Sequence, residues 1–315
     1  MIVTLTLNPS VDRTVEVETL ARGEVMRALG VRVDPGGKGI NVSRALAANG
    51  FPTRAVVTLG GAEGEHLVAL LRETGIEIVP VRIRGAIRSN ITVVEPDGTT
   101  TKFNEPGAEL NADELAAVFA AVREAAASAD WLVASGSLPP GTPADVYADL
   151  VRSLVGTGTR VAVDTSGPAL EAVLAAGPAL VKPNRDELSA VTGRGLQTVS
   201  DVVEAACRLR DLGARTVLAS LGAEGAVLVD DDGATHGWTP AVSPLSSVGA
   251  GDAMLAGFLA AGGAGREALI EGLAWGAAAV LQPGSGMPSP SDIHREAVWL
   301  EPQGTGRRDL LAMPP

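Results

Sequence analysis

The 315-residue sequence predicts an α/β protein: a parallel sheet covered by helices, with a smaller β-sheet beside it. Three observations carry that prediction. From Thr53 onward, short apolar runs alternate with stretches of helical apolar spacing, the pattern of βαβ units. Pro96-Asp97-Gly98 joins two strand-like runs and interrupts the alternation with a hairpin, because Asp-Gly suits the turn's positive dihedrals. A hydrophobic content of 46% over this length suffices for one large core with a small appendage.

In chain order, Ile2 to Leu7 reads as a buried strand ended by Asn8-Pro9-Ser10, with Asp12 at its exit. Glu24 to Asp34 alternates valine with charge, as a half-exposed strand does. Pro35-Gly36-Gly37-Lys38-Gly39 then opens a helix from Ile40 to Leu46, closed by Asn49-Gly50. It is not a Walker A loop, since Gly39 follows Lys38 where Ser or Thr is required. A strand at 55–59, a helix at 64–73 and a strand at 77–81 follow. Ser89 to Glu95 and Thr99 to Asn104 form the hairpin; with Val15 to Val33 they predict a small sheet that serves as a lid. Alternation resumes with a helix at 111–126, a strand at 131–134, the turn Ser135 to Gly141, and strands at 161–164, 179–182, 216–220 and 226–229. Helices at 251–260 and 266–281 complete the pattern, and the Pro/Gly/Ser-rich tail after Pro283 carries none. The expected division is a main domain of 1–12, 35–86 and 106–315, with 13–34 and 87–105 as the lid.

A formal net charge of −12 argues against nucleic acid or an anionic membrane as partner, so any phosphate site needs locally placed cations. The single cysteine, Cys207, excludes an internal disulfide and reads as a core thiol in an apolar helical pattern. His66, His236 and His294 stand apart, with no metal-ligand spacing. No basic segment precedes an apolar one at the N-terminus, and no apolar run reaches the roughly 20 residues that span a bilayer, so a soluble cytoplasmic protein is expected.

The chemistry gathers around Ser247-Val248-Gly249-Ala250-Gly251-Asp252, directly before an apolar helix. Two glycines flanking one small residue let backbone N–H groups approach a ligand, and a helix start favours phosphate. Asp252 in that first turn is placed to accept a proton from an attacking alcohol; helix capping is the alternative. Polar or glycine-rich groups also stand at the predicted strand ends: Asn8, Ser135 to Ser137, Asp164, Lys182 to Asn184 and Ser220 to Gly222. Ligands of open α/β sheets bind beyond such ends, so one shared cleft is expected.

Five motifs in order resemble the ribokinase-like (PfkB) sugar kinases: Asn8-Pro9-Ser10-Val11-Asp12, Gly36-Gly37-Lys38-Gly39-Ile40-Asn41-Val42, Ser135-Gly136-Ser137-Leu138-Pro139, Lys182-Pro183-Asn184-Arg185-Asp186-Glu187 and Val248-Gly249-Ala250-Gly251-Asp252. The resemblance covers residues 1 to 290. It implies a three-layer α/β/α domain with a mainly parallel sheet and a lid, and Mg²⁺-dependent transfer from ATP to fructose 1-phosphate. Asp252 would be the base, and the amides of Gly249, Ala250 and Gly251 would form the anion hole. Asp12, Gly37, Lys38, Asn41 and Ser137 would hold the sugar, while Arg88 and Lys102, cations on the lid hairpin, suit its existing phosphate. Asn184 and Glu187, three apart, would organise nucleotide phosphate and Mg²⁺, Glu187 through water; a capping pair is the alternative. Ser220, Gly222 and Gly225 resemble the family's nucleotide loop, although alone they read as a hairpin turn. The resemblance also implies a homodimer joined through the lids. Tagatose 6-phosphate or fructose 6-phosphate are rival acceptors, and a sensor without catalysis is a rival of another class.

Overall fold

The computed structural model describes residues 1–302. A ten-stranded sheet forms its middle layer, built from β1 (Ile2–Thr6), β4 (Thr53–Leu59), β5 (Glu77–Arg82), β8 (Trp131–Ser135), β9 (Arg160–Asp164), β10 (Leu180–Val181), β11 (Val217–Ser220), β12 (Ala226–Asp230), β13 (Gly233–Trp238) and β14 (Trp299–Pro302). Its order is β5-β4-β1-β8-β9-β10-β11-β12-β13-β14. The first seven strands in that order run parallel, and β12, β13 and β14 add on antiparallel. A separate four-stranded sheet has the order β3-β2-β6-β7, from β2 (Ser10–Glu16), β3 (Gly30–Gly36), β6 (Arg88–Val94) and β7 (Thr100–Asn104).

Helices cover both faces of the large sheet because its strands are apolar on both sides. On one face lie α3 (Ala112–Ala126), α4 (Val146–Ser153), α5 (Pro168–Leu174), α6 (Arg185–Thr192) and α7 (Val199–Asp211), packed on Val3, Leu5, Val56 and Leu132. On the other lie α1 (Lys38–Ala48), α2 (Gly61–Arg72), α8 (Ala250–Ala260) and α9 (Gly265–Ala279), packed on Ile2, Ala55, Val57 and Val133. Residues of one strand thus alternate between the two cores, as the two-residue period requires.

Helix α8 is apolar all round and buried along its length after Gly251. Two glycines let α9 approach it closely: a Cβ on Gly257 would stand 2.7 Å from the Trp275 ring, and one on Gly272 would stand 2.9 Å from the Met254 carbonyl. This contact anchors the helix whose first turn carries Asp252.

Several expectations change. The strand expected from Glu24 begins only at Gly30, and β2 starts at Ser10, where the chain was expected to be turning. A corner at Gly23, φ 87°, and the exposed Val25 and Leu29 leave 24–29 outside any strand. Cys207 is exposed rather than a core thiol: α7 buries Val202, Val203, Ala205, Ala206 and Leu209, and Cys207 falls on its solvent side. After Pro283, the chain forms β14, which closes the sheet edge; residues 303–315 of the expected main domain lie outside the described residues.

Candidate active site

The parallel strands β1, β8, β9, β10 and β11 deliver their carboxyl ends to one edge. Strand β1 is flanked by β4 and β8, so the chain switches direction across the sheet there, the place where open α/β sheets leave a crevice. Asn8 and Ser137 meet across it, Asn8 Nδ2 donating to Ser137 Oγ at 3.3 Å.

Asp252 is buried in the first turn of α8. Gly249, in the left-handed region at φ 80°, turns the chain into the helix, and no side chain caps it. The first i→i−4 bond runs from Ala253 N to Gly249 O, which leaves the amides of Ala250, Gly251 and Asp252 without helical partners. Asn41 Nδ2 donates to Asp252 Oδ2 at 2.9 Å. Burial first, and then the like charge of Asp164, push the Asp252 carboxyl from 3.8 up to about 6, against the pull of Lys38, Asn41 and Lys182.

Beside it lies a group of charges, with Asp164 and Lys182 buried and Lys38 part-exposed. Asp164 at the end of β9 receives Lys38 Nζ at 2.7 Å and Lys182 Nζ at 3.0 Å. Burial would raise the Asp164 pKa, but the two ammonium groups outweigh it and hold the carboxyl below its usual range. Burial works against the Lys38 charge too; Asp164 and then Asp252 overcome this and raise its pKa. Lys38 Nζ also stands 4.0 Å from Glu187 Oε1. A Cβ on Gly251 would lie 3.5 Å from Lys182 Nζ, which puts that ammonium against the glycine cradle. Asp164 and Lys182 are among the strand-end groups expected around one shared cleft, and the structure brings them together there, although neither has an individual role in the sequence reading.

The small sheet presents a polar face made by alternate residues. Asp12 Oδ1 accepts from Ser10 Oγ at 2.7 Å and from Asn90 Nδ2 at 2.9 Å. A side chain at Gly36 would run into Asp12 Oδ2 and Ser10 Oγ. Arg88 donates to the carbonyls of Asn8 and Glu105 at 3.3 and 3.2 Å. Lys102 is exposed and opposes Thr92, whereas Arg88 opposes Ser10. Four residues along β6 separate the two positions, about 13 Å at a strand's rise. Both cations lie on the face that carries Asp12, Arg88 level with Ser10 and Lys102 toward the far end of the hairpin. Gly37, at φ 125°, precedes Lys38 as the N-cap position of α1.

Asn184 and Glu187 form a reciprocal capping box at the start of α6, with both bonds at 2.8 Å. The structural alternative is therefore realised, yet it occupies only Glu187 Oε2 with the Asn184 amide and leaves Oε1 facing Lys38. Ser220 pairs with Asn184 in a parallel bridge, which brings the turn after β11 to this box. In that turn Gly222 and Gly225 have φ of 60° and 86°, and a side chain at Gly225 would strike the Gly237 carbonyl.

Uncapped amides, two ammonium groups and the Ser220 turn fit a nucleotide phosphate chain. No cluster of three or more His, Cys, Asp or Glu that could hold a metal occurs among the described residues. One open carboxylate oxygen suits Mg²⁺, which is usually shared between one or two carboxylates, water and substrate phosphates.

Residues 5–292 match the pfkB family carbohydrate kinase description. The chain is 43% identical over 269 residues to a 1-phosphofructokinase of Rhodobacter capsulatus, covering 84% of this chain and 85% of that one. It is 39% identical over 306 residues to the ATP-dependent 6-phosphofructokinase isozyme 2 of Escherichia coli, covering 95% and 98%. The crystal structure of phosphofructokinase-2 from Escherichia coli in complex with substrates and products superposes with a TM-score of 0.87 at 39% identity, over 92% of this chain and 96% of that one. The three-layer fold with its small second sheet is ribokinase-like, and the chain belongs to the pfkB family of carbohydrate kinases.

Proposed function

We propose that this chain is a 1-phosphofructokinase, transferring the γ-phosphoryl group of ATP to the free primary hydroxyl of fructose 1-phosphate to give fructose 1,6-bisphosphate and ADP. The observation that carries phosphoryl transfer is Asp252, a buried carboxylate one residue past the uncapped glycine cradle, and the 43% identity to the Rhodobacter capsulatus 1-phosphofructokinase favours fructose 1-phosphate as acceptor. As the sugar oxygen bonds to phosphorus, Asp252 takes the hydroxyl proton. The Gly249, Ala250 and Gly251 amides stabilise the charge of the transferring group, and Lys182 stands against that cradle. Asp12 and Asn41 hold sugar hydroxyls, with Gly37, Lys38 and Ser137 lining the same crevice. Arg88 takes the existing phosphate, and Lys102 adds longer-range attraction from the same polar face. Asn184, Ser220, Gly222 and Gly225 hold the nucleotide. When bound, Mg²⁺ offsets phosphate charge, and Glu187 would hold it through water. A cytoplasmic setting goes with ATP as donor; among the described residues no helix is long and apolar enough to cross a membrane.

The test measures ADP release with fructose 1-phosphate, fructose 6-phosphate, tagatose 6-phosphate and fructose. The highest kcat/KM is expected for fructose 1-phosphate. A second reading, 6-phosphofructokinase, is favoured by the 39% identity that spans nearly all of the Escherichia coli isozyme 2; a preference for fructose 6-phosphate would establish it. Nucleotide binding without turnover of any sugar would point to a sensor.

We also propose that two copies join through the small sheets. The face opposite Asp12 exposes Val31, Ile91 and Phe103, an apolar surface that a second copy would cover. Sedimentation is expected to give a dimer that Phe103→Asp dissociates. A wild-type monomer at micromolar concentration refutes it.

A further inference from the structure

One amide stands between the proposed base and a cation that no part of the reaction uses. Asn41 and Arg44 lie three residues apart on α1, hence on one face of that helix. Arg44 Nη1 donates to Asn41 Oδ1 at 3.2 Å, while Asn41 Nδ2 donates to Asp252 Oδ2 at 2.9 Å. A carboxamide has one accepting end and one donating end, whereas a guanidinium only donates and an ionised carboxylate only accepts. Turning the amide over would set carbonyl against carboxylate and N–H against N–H. Arg44 and Asp252 therefore select the same orientation from opposite ends.

The guanidinium is itself held. Arg44 Nη1 also donates to Ser285 Oγ at 3.1 Å, and Ser285 is buried. Ser285 belongs to the segment running from Gly284 to Met287. Met287 Cε lies 3.1 Å from where a Cβ on Gly249 would stand, so the segment lies against the cradle.

We infer that Arg44 is a positioning residue for phosphoryl transfer: anchored by Ser285, it holds the Asn41 amide so that its N–H points at the Asp252 carboxylate. The inference rests on the reading of Asp252 as the base. A donor aimed at the carboxylate keeps it in place and favours its ionised form, the form that can take the proton. Toward Asp252, Arg44 acts through Asn41; its charge also faces Asp34 and Asp12.

The test compares Arg44→Met, Arg44→Lys, Asn41→Ala and the Arg44→Met/Asn41→Ala double variant. Arg44→Met is expected to lower kcat about tenfold with the KM for ATP within about twofold, and Arg44→Lys to recover most of the loss. In the Asn41→Ala background, Arg44→Met should change kcat by less than about twofold. Additive losses, or a change confined to KM, overturn the inference.

A second readout needs no turnover. Hydrogen exchange of the ¹⁵N-labelled Asn41 side-chain amide, assigned by its absence in Asn41→Ala, is expected to quicken at least about tenfold in Arg44→Met. Unchanged exchange overturns the inference whether or not any sugar is phosphorylated. Faster exchange in a chain that phosphorylates no sugar upholds the clamp and removes the kinase reading alone. If Arg44→Met does not fold, Ser285→Ala removes only the anchor: exchange is expected to quicken severalfold, and no change overturns the inference.

Discussion

Replacing Asp252 by Asn is expected to stabilise the fold while destroying turnover. Its carboxyl sits at about 6 in the folded chain against 3.8 when free. At 1.36 kcal/mol per pKa unit, the native state is disfavoured by about 3 kcal/mol wherever both states would ionise. Because the folded pKa is the raised one, the folded chain binds more protons than the unfolded chain between the two values, and stability falls as pH rises through that window. The penalty is complete above about pH 7, roughly halved at pH 5 and absent well below 3.8. Asn cannot ionise, so it removes the penalty and still offers an oxygen to Asn41 Nδ2. Urea unfolding at pH 8 should show the Asn variant more stable by about 1 to 3 kcal/mol at unchanged m, the gap narrowing toward pH 5. Equal or lower stability at pH 8 would refute the assignment of a buried, charge-strained base. Such a gain on deleting a functional group is the usual mark of an active site.

Other consequences follow from the same geometry. The pH profile of kcat/KM is expected to fall on the acid side with an apparent pKa near 6, since Asp252 must be ionised to take a proton; an acid limb near 4 would remove it from that role. Lys182→Met leaves the fully buried Asp164 with Lys38 alone, so urea denaturation should show a loss of about 2 to 4 kcal/mol. Gly36→Ala pushes a methyl group into Asp12 Oδ2 and Ser10 Oγ; the KM for sugar should rise about tenfold with the KM for ATP unchanged, and an equal rise in both would count against Asp12 as a sugar ligand.

Much of the fold was legible because its signals are local. Alternating apolar periods marked most strands and helices, and the Pro96-Asp97-Gly98 turn does join β6 to β7, with Gly98 at φ 88°. The glycine cradle before α8 is likewise a local pattern, since φ 80° at Gly249 is a demand on one residue. The start of β2 was missed because Asn8-Pro9-Ser10 reads as a turn wherever it occurs; it is one here too, but it links two strands of different sheets. Cys207 was misplaced because α7 shows its apolar stripe clearly, whereas the edge of that stripe depends on what α7 packs against.

What belongs to the sequence alone, then, is the order of elements and the backbone freedom at its glycines, both set by neighbours a few residues apart. Pairings across long separations were decided only by tertiary structure. Lys38 and Lys182 reach Asp164 from α1 and the end of β10, and Asn41 reaches Asp252 across 211 positions. The raised pKa of Asp252 has no counterpart in its sequence neighbours. It comes from burial and from Asp164, a charge brought close by a parallel sheet whose strand ends meet only once the chain has crossed over itself.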